Sequence, residues 1–240
     1  MNHSGLCRIP IILSTLFSVA VSADGSLIDK IYHPYVQPQE KEFGIRGGVE
    51  SDNDQNPADG LDTVHLSYGQ SLNDRWFADL GLISQSAPTD DLDLESAELE
   101  LLWQITEQGE YNADCGMLFQ VDRSFNHDIS GVSTTLLMEK QWGKWVGTAN
   151  LSLNYEWGSD IHSELDNGLA VQTRYRYSRS LEPAIELYLG ENSKGIGPIL
   201  LGDVRLANRK QLHWEAGAIA GLSNDTPDTT FKFLIELEFY

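Results

Sequence analysis

Apolar and polar residues alternate with a period of two along most of the chain, which predicts β-strands in place of helices. In WVGTANLSLNYEW, Trp145, Ala149, Leu151, Leu153, Tyr155 and Trp157 fall on one side of an extended chain, and Thr148, Asn150, Ser152, Asn154 and Glu156 fall on the other. LAVQTRYRY sets Leu169, Val171, Tyr175 and Tyr177 against Gln172, Arg174 and Arg176, and AELELLW sets Ala97, Leu99, Leu101 and Trp103 against Glu98 and Glu100. Twelve segments of this kind are predicted, at 41–50, 61–70, 76–84, 95–104, 113–122, 131–141, 145–157, 168–178, 183–190, 198–206, 211–222 and 229–240. The segment at 198–206 carries the faintest alternation. In the last, TTFKFLIELEFY, one face holds Phe231, Phe233, Ile235, Leu237 and Phe239, while Tyr240 falls in the opposite phase.

Alternation alone fits a soluble sandwich as well as a membrane barrel. The connections separate the two. SDNDQNPADG, SQSAPTDDLD, RSFNHDIS and GSDIHSELDN are longer, and they alternate with the shorter SLNDR, EQGEYN, QWGK, SRSLE and ANRKQ. Five of the six tryptophans, Trp76, Trp103, Trp142, Trp145 and Trp214, lie beside short connections, and only Trp157 lies beside a long one. Amphipathic rings of this kind collect at membrane–water interfaces.

Composition narrows the functional classes. The formal net charge is −20, so the chain lacks the basic footprint that nucleic acid requires, whereas metal cations or cationic solutes would be attracted. Arg8, an apolar run and the small residues Val21-Ser22-Ala23 read as a signal peptide over 1–23. After cleavage Cys115 is the one remaining cysteine, which rules out an internal disulfide and a Cys-based zinc site. Residues 24–40, interrupted by Pro34 and Pro38, read as a periplasmic lead-in. Alternatively, Ile31, Tyr32, Tyr35 and Val36 tuck into the barrel mouth as a small plug or docking peptide.

Even strand number, short turns at one end, longer loops at the other and an aromatic girdle together resemble the outer-membrane β-barrel proteins of Gram-negative bacteria. The resemblance covers 41–240 and implies an all-β fold, an antiparallel transmembrane barrel of twelve strands in the cell outer membrane. It also implies contact with outer-membrane lipid, and recognition of the last strand by the barrel-assembly machinery. An open edge cannot face lipid, so the last strand is expected to pair with the first, near KEFGIRGGV.

With the apolar face toward lipid, the expected lumen lining includes Glu98, Glu100, Glu139, Glu156, Arg174, Arg176, Glu186, Asp203, Arg205 and Glu215. A polar, acidic-leaning interior of this kind fits a narrow channel or porin-like pore for small solutes or cations. Two alternatives stand beside it: a lipid-modifying hydrolase, and a non-conducting structural or docking barrel. The hydrolase would use a histidine to activate a serine, with His127 and Ser130 in FNHDISG as the candidates. Asp52, Asp54 and Asn56 alternate as in a calcium loop, but Pro57 and Thr63 stand where an EF-hand needs Gly and Glu. No phosphate-binding or dinucleotide fingerprint occurs, and no cofactor is expected.

Overall fold

The computed structural model describes residues 28–51, 62–86, 93–191 and 193–240. The expected signal peptide and the candidate calcium ligands Asp52, Asp54 and Asn56 lie outside the described residues. Twelve strands follow in order: β1 (Lys41–Ser51), β2 (Asp62–Asn73), β3 (Trp76–Ser86), β4 (Asp93–Gln104), β5 (Asp114–Ser124), β6 (Ile129–Trp142), β7 (Trp145–Gly158), β8 (Glu164–Tyr175), β9 (Glu182–Gly190), β10 (Lys194–Arg205), β11 (Lys210–Gly221) and β12 (Thr229–Phe239). Each pairs antiparallel with its neighbours, and β12 pairs with β1 to close an all-β barrel. The seam runs from Lys41 opposite Phe239 to Ser51 opposite Thr229, so the first and last strands satisfy each other's backbone groups.

The outward face is apolar all round, with Phe43, Leu66, Leu80, Leu99, Leu151, Ile185 and Phe231 exposed. So continuous an apolar surface matches a lipid-facing belt. One end of the barrel carries the start of β1 and the end of β12. Trp76 and Trp103 stack there with ring centroids 5.4 Å apart, and Trp145 meets the Tyr175 ring at 5.0 Å. Trp142 and Trp145 face each other across the β6–β7 turn, whereas Trp214 lies near the middle of the β11–β12 ladder, one residue pair toward that end. Trp157, stacked on Tyr155, marks the opposite end.

Two features depart from the sequence reading. β8 begins at Glu164 where 168 was expected, because Leu165 continues the outward phase and Asp166 the inward one. The 198–206 segment likewise extends back to Lys194. The connections therefore divide less cleanly: residues 105–113, at the terminal end, form a longer link than 125–128 or 191–193 opposite. That link is folded back on β5, with Thr106 Oγ1 accepting the Cys115 amide at 2.8 Å and Asp114 Oδ1 accepting the Gly109 amide at 2.8 Å. Gly109 sits at φ +74°, a conformation that favours glycine.

Ile235 lies opposite Ile45 on the outward face of the seam, near mid-strand. Ile235→Arg should destabilise the barrel in lipid vesicles by about 2–4 kcal/mol. Urea unfolding followed by tryptophan fluorescence would show the loss. An unchanged midpoint would mean that this face does not meet lipid.

Candidate functional site in the lumen

Inward positions alternate with the lipid-facing ones along every strand, and many carry carboxylates. Glu98, Glu100, Glu139, Glu186 and Glu215 are all buried. A charge removed from water needs partners, and the inner wall supplies some of them. Glu98 meets His65 Nε2 at 2.6 Å, Arg46 Nη2 at 3.3 Å and Gln120 Nε2 at 2.7 Å. Glu186 accepts from Gln172 at 2.8 Å, Tyr188 at 2.7 Å and Lys232 at 3.0 Å. His213 bridges Asp203 at 2.8 Å and Glu215 at 3.2 Å. Arg174 lies 3.5 Å from Glu139 and 3.7 Å from Glu182. Arg176 sits just past the end of β8 beside Gln141, and Arg205 is exposed at the end of β10. Glu156 is half-buried in the other half of the lumen.

The remaining partners come from residues 28–40, which form no strand and run inside the barrel, with Gln37, Pro38 and Gln39 exposed. Ile31 is 1% exposed, and Pro34 and Val36 are buried. Pro34 and Pro38 lack amide donors, and a strandless segment has no ladder, so side chains of the wall take its backbone groups. Asn150 Oδ1 accepts the Tyr32 amide at 2.7 Å, and Asn150 Nδ2 donates to the Tyr32 carbonyl at 2.9 Å. Gln104 Oε1 accepts the Val36 amide at 2.7 Å, and the Ser71 amide donates to the Glu40 carbonyl at 2.9 Å.

Its side chains answer the carboxylates. Tyr32 donates to Glu100 at 2.5 Å and Tyr35 to Asp114 at 2.7 Å. His33 Nδ1 lies 2.6 Å from Glu139. Lys30 pairs with Glu236, and Arg46 lies 3.1 Å from Asp29. Lys232 and Tyr188 both donate to the Asp29 carbonyl, at 2.8 and 2.7 Å. Ile28 and Ile31 pack on an apolar patch of the inner wall formed by Ala184, Tyr188, Ile199, Leu201 and Ile219. The sequence reading expected a uniformly polar lining and missed this patch. In the apolar run of β10, Ile199 and Leu201 point inward while Ile196 and Leu200 point out.

Between this segment and the end opposite the termini lies a cavity of about 310 Å³. Asp29, Lys30 and Tyr32 line it from the segment, and Gln120, Asp122, Asn154, Glu156, Asp166 and Ser193 line it from the wall and the β9–β10 connection.

The His127 and Ser130 pair is arranged for bracing. Ser130 Oγ accepts from Arg123 Nη1 at 2.6 Å, while the backbone amide of His127 donates to Ser124 Oγ at 3.1 Å. Arg123 also meets Asp128 at 2.6 Å, and Asp128 accepts from Ser159 Oγ at 2.8 Å. Hydrogen bonds from Ser159 and Arg123 hold the Asp128 carboxyl below its ordinary range. The cluster ties the 125–128 connection to the one that follows β7.

No family model matches the chain, and no curated protein matches its sequence. Solved structures do match. An outer membrane channel from Pseudomonas putida F1 aligns with a TM-score of 0.57 at 12% identity, over 88% of this chain and 99% of that one. The NanC porin aligns with a TM-score of 0.52 at 12% identity, over 82% and 99%. The KdgM porin, solved in complex with disordered oligogalacturonate, aligns with a TM-score of 0.51 at 8% identity, over 83% and 98%. At these identities the likeness is one of fold. The chain has the twelve-stranded, closed antiparallel architecture found among outer-membrane β-barrel proteins.

Proposed function

We propose that the protein is an outer-membrane channel for small solutes, held closed in this state by residues 28–40. The observation that carries this reading is the composition of the obstruction. The wall is continuous, and what crosses its lumen is a strandless segment held by side chains at Tyr32, His33, Tyr35 and Val36. Such a segment opens locally at lower cost than a strand that two ladders hold. The signal peptide over 1–23 would deliver the chain to the periplasm, and β12 would present it to the assembly machinery. With the chain ends in the periplasm, the 310 Å³ cavity opens outward and the segment forms its floor. Carboxylates at its wall favour cations over anions. Oligogalacturonate, the ligand named with the KdgM porin, is a polyanion and has the wrong charge for this vestibule.

Planar-bilayer recording tests the proposal. The intact protein should show small or infrequent conductance, and deletion of residues 28–38 should give larger and longer openings. Equal, negligible conductance from both folded proteins would overturn the channel reading.

Asn150 offers a milder variant, because it alone engages both backbone groups of Tyr32. Asn150→Ala should weaken the hold on the segment by about 1–3 kcal/mol. Trypsin should then cleave after Lys30 faster than in the unaltered protein, with the barrel intact on a detergent gel. Unchanged cleavage would place the hold elsewhere.

A further inference from the structure

The carboxylates of the lumen are paired at one level and unpaired at another. Beside the segment many of the carboxylates meet a cation: Lys30 with Glu236, Arg46 with Glu98 and Glu100, Arg174 with Glu139, and Lys232 with Glu186. Further toward the opposite end a row of acids crosses five adjacent strands in direct register. Glu98 on β4 faces Asp122 on β5, Asp122 faces Gly131 on β6, Gly131 faces Glu156 on β7, and Glu156 faces Glu164 on β8. Gly131 makes room in this row, since a Cβ there would lie 2.4 Å from Asp122 Oδ1. Asp166 stands just inside Glu164 on the same strand, and Glu191 joins from the β9–β10 connection.

Like charges directly opposite on a sheet destabilise it. Among the described residues, no Lys, Arg or His forms an ion pair with Asp122, Glu156, Glu164, Asp166 or Glu191. The connections at 52–61 and 87–92 contain no Lys, Arg or His. Hydrogen-bonding capacity also goes unused here. Ser193 lines the same cavity, is only 5% exposed, and its Oγ has no hydrogen-bond partner. Asp166 Oδ1 and Glu164 Oε2 are likewise buried without one.

We propose that this vestibule binds a linear organic polycation, of which a polyamine is the simplest example. A single metal ion fits poorly. The one trio of described His, Cys, Asp or Glu residues whose ligand atoms come within 4.8 Å of one another is Glu40, Glu42 and Glu238, at the other end of the barrel. The vestibule acids are instead spread along the wall. Neighbouring strands lie about 4.8 Å apart, so Asp122 and Glu156, which flank β6, are separated by two such steps. Ammonium groups strung along one flexible chain can meet them in turn, and Ser193 and the Asn154 and Gln120 amides can accept the remaining N–H groups. A volume of about 310 Å³ is of the size that small ligands occupy. The inference deepens the channel proposal by naming a solute class, and it rests on that proposal for passage but not for binding.

Isothermal titration of the folded barrel with spermine, in non-ionic detergent, tests it. Saturable binding at one site per barrel is expected. Asp122→Asn, Glu156→Gln and Asp166→Asn combined should weaken it about tenfold or more, and Ser193→Ala by less. Glu107→Gln with Glu110→Gln, in the exposed 105–113 connection, should leave it unchanged. Retained heat-modifiable migration certifies that each variant is folded. The proposal is overturned if no saturable binding occurs, if both sets of substitutions weaken binding equally, or if equimolar Mg²⁺ displaces spermine fully. Spermine binding by a barrel that never conducts would keep this inference and remove the channel reading. Conduction without spermine binding would do the reverse.

Discussion

A closed wall of twelve strands encloses more room than its inward side chains fill, and here those side chains are largely acids. Both facts follow from lipid. The outward phase of each strand must be apolar, closure must leave no edge, and the inward phase is then free to be polar. What the inward phase cannot do is hold unpaired charge away from water at no cost. The way residues 28–40 lie in the lumen answers that constraint. Tyr32, His33, Tyr35 and Lys30 each reach a different carboxylate, on β4, β6, β5 and β12. The apolar patch at Ile199, Leu201 and Ile219 gives Ile28 and Ile31 a dry place to pack.

The segment also divides the lumen. On its own level, acids and cations form a nearly complete network, with Glu98, Glu139 and Glu186 each held by three groups. Beyond it Asp122, Glu156, Glu164 and Asp166 continue along the wall without an ion pair among the described residues, while Lys30 and Arg46 reach the cavity from the level of the segment. The occupied lumen and the unpaired acids beyond it thus have a common origin in where the limited cations fall.

Much of this was legible in the sequence, for a physical reason. A period of two reports which face a residue occupies, so the strands, the seam between β1 and β12, and inward positions such as Glu98, Glu139 and Glu215 follow from local pattern. Strand ends followed less well. Glu164 reads as loop because it is acidic, yet Leu165 keeps the outward phase and draws it into β8. Pattern carries no information about partners distant in the chain. Ile31, Tyr32, Tyr35 and Val36 allow a plug as the alternative to a periplasmic lead-in, but Asn150 is 118 residues from Tyr32 and Glu139 is 106 from His33. The apolar patch in β10 was hidden in a run where both phases are hydrophobic. Tyr240, out of phase with the lipid-facing set, is exposed past the end of β12 and donates to Glu238 at 3.2 Å, while Phe239 stacks on Phe43.

The central claim is that residues 28–40 occupy the lumen through specific hydrogen bonds to the wall. Amide hydrogen exchange at single-residue resolution, on the protein reconstituted in lipid, tests it most directly. The amides of Tyr32 and Val36, held by Asn150 and Gln104, should exchange as slowly as those at the middle of β1. Exchange at the rate of an unstructured peptide at both positions would contradict the account.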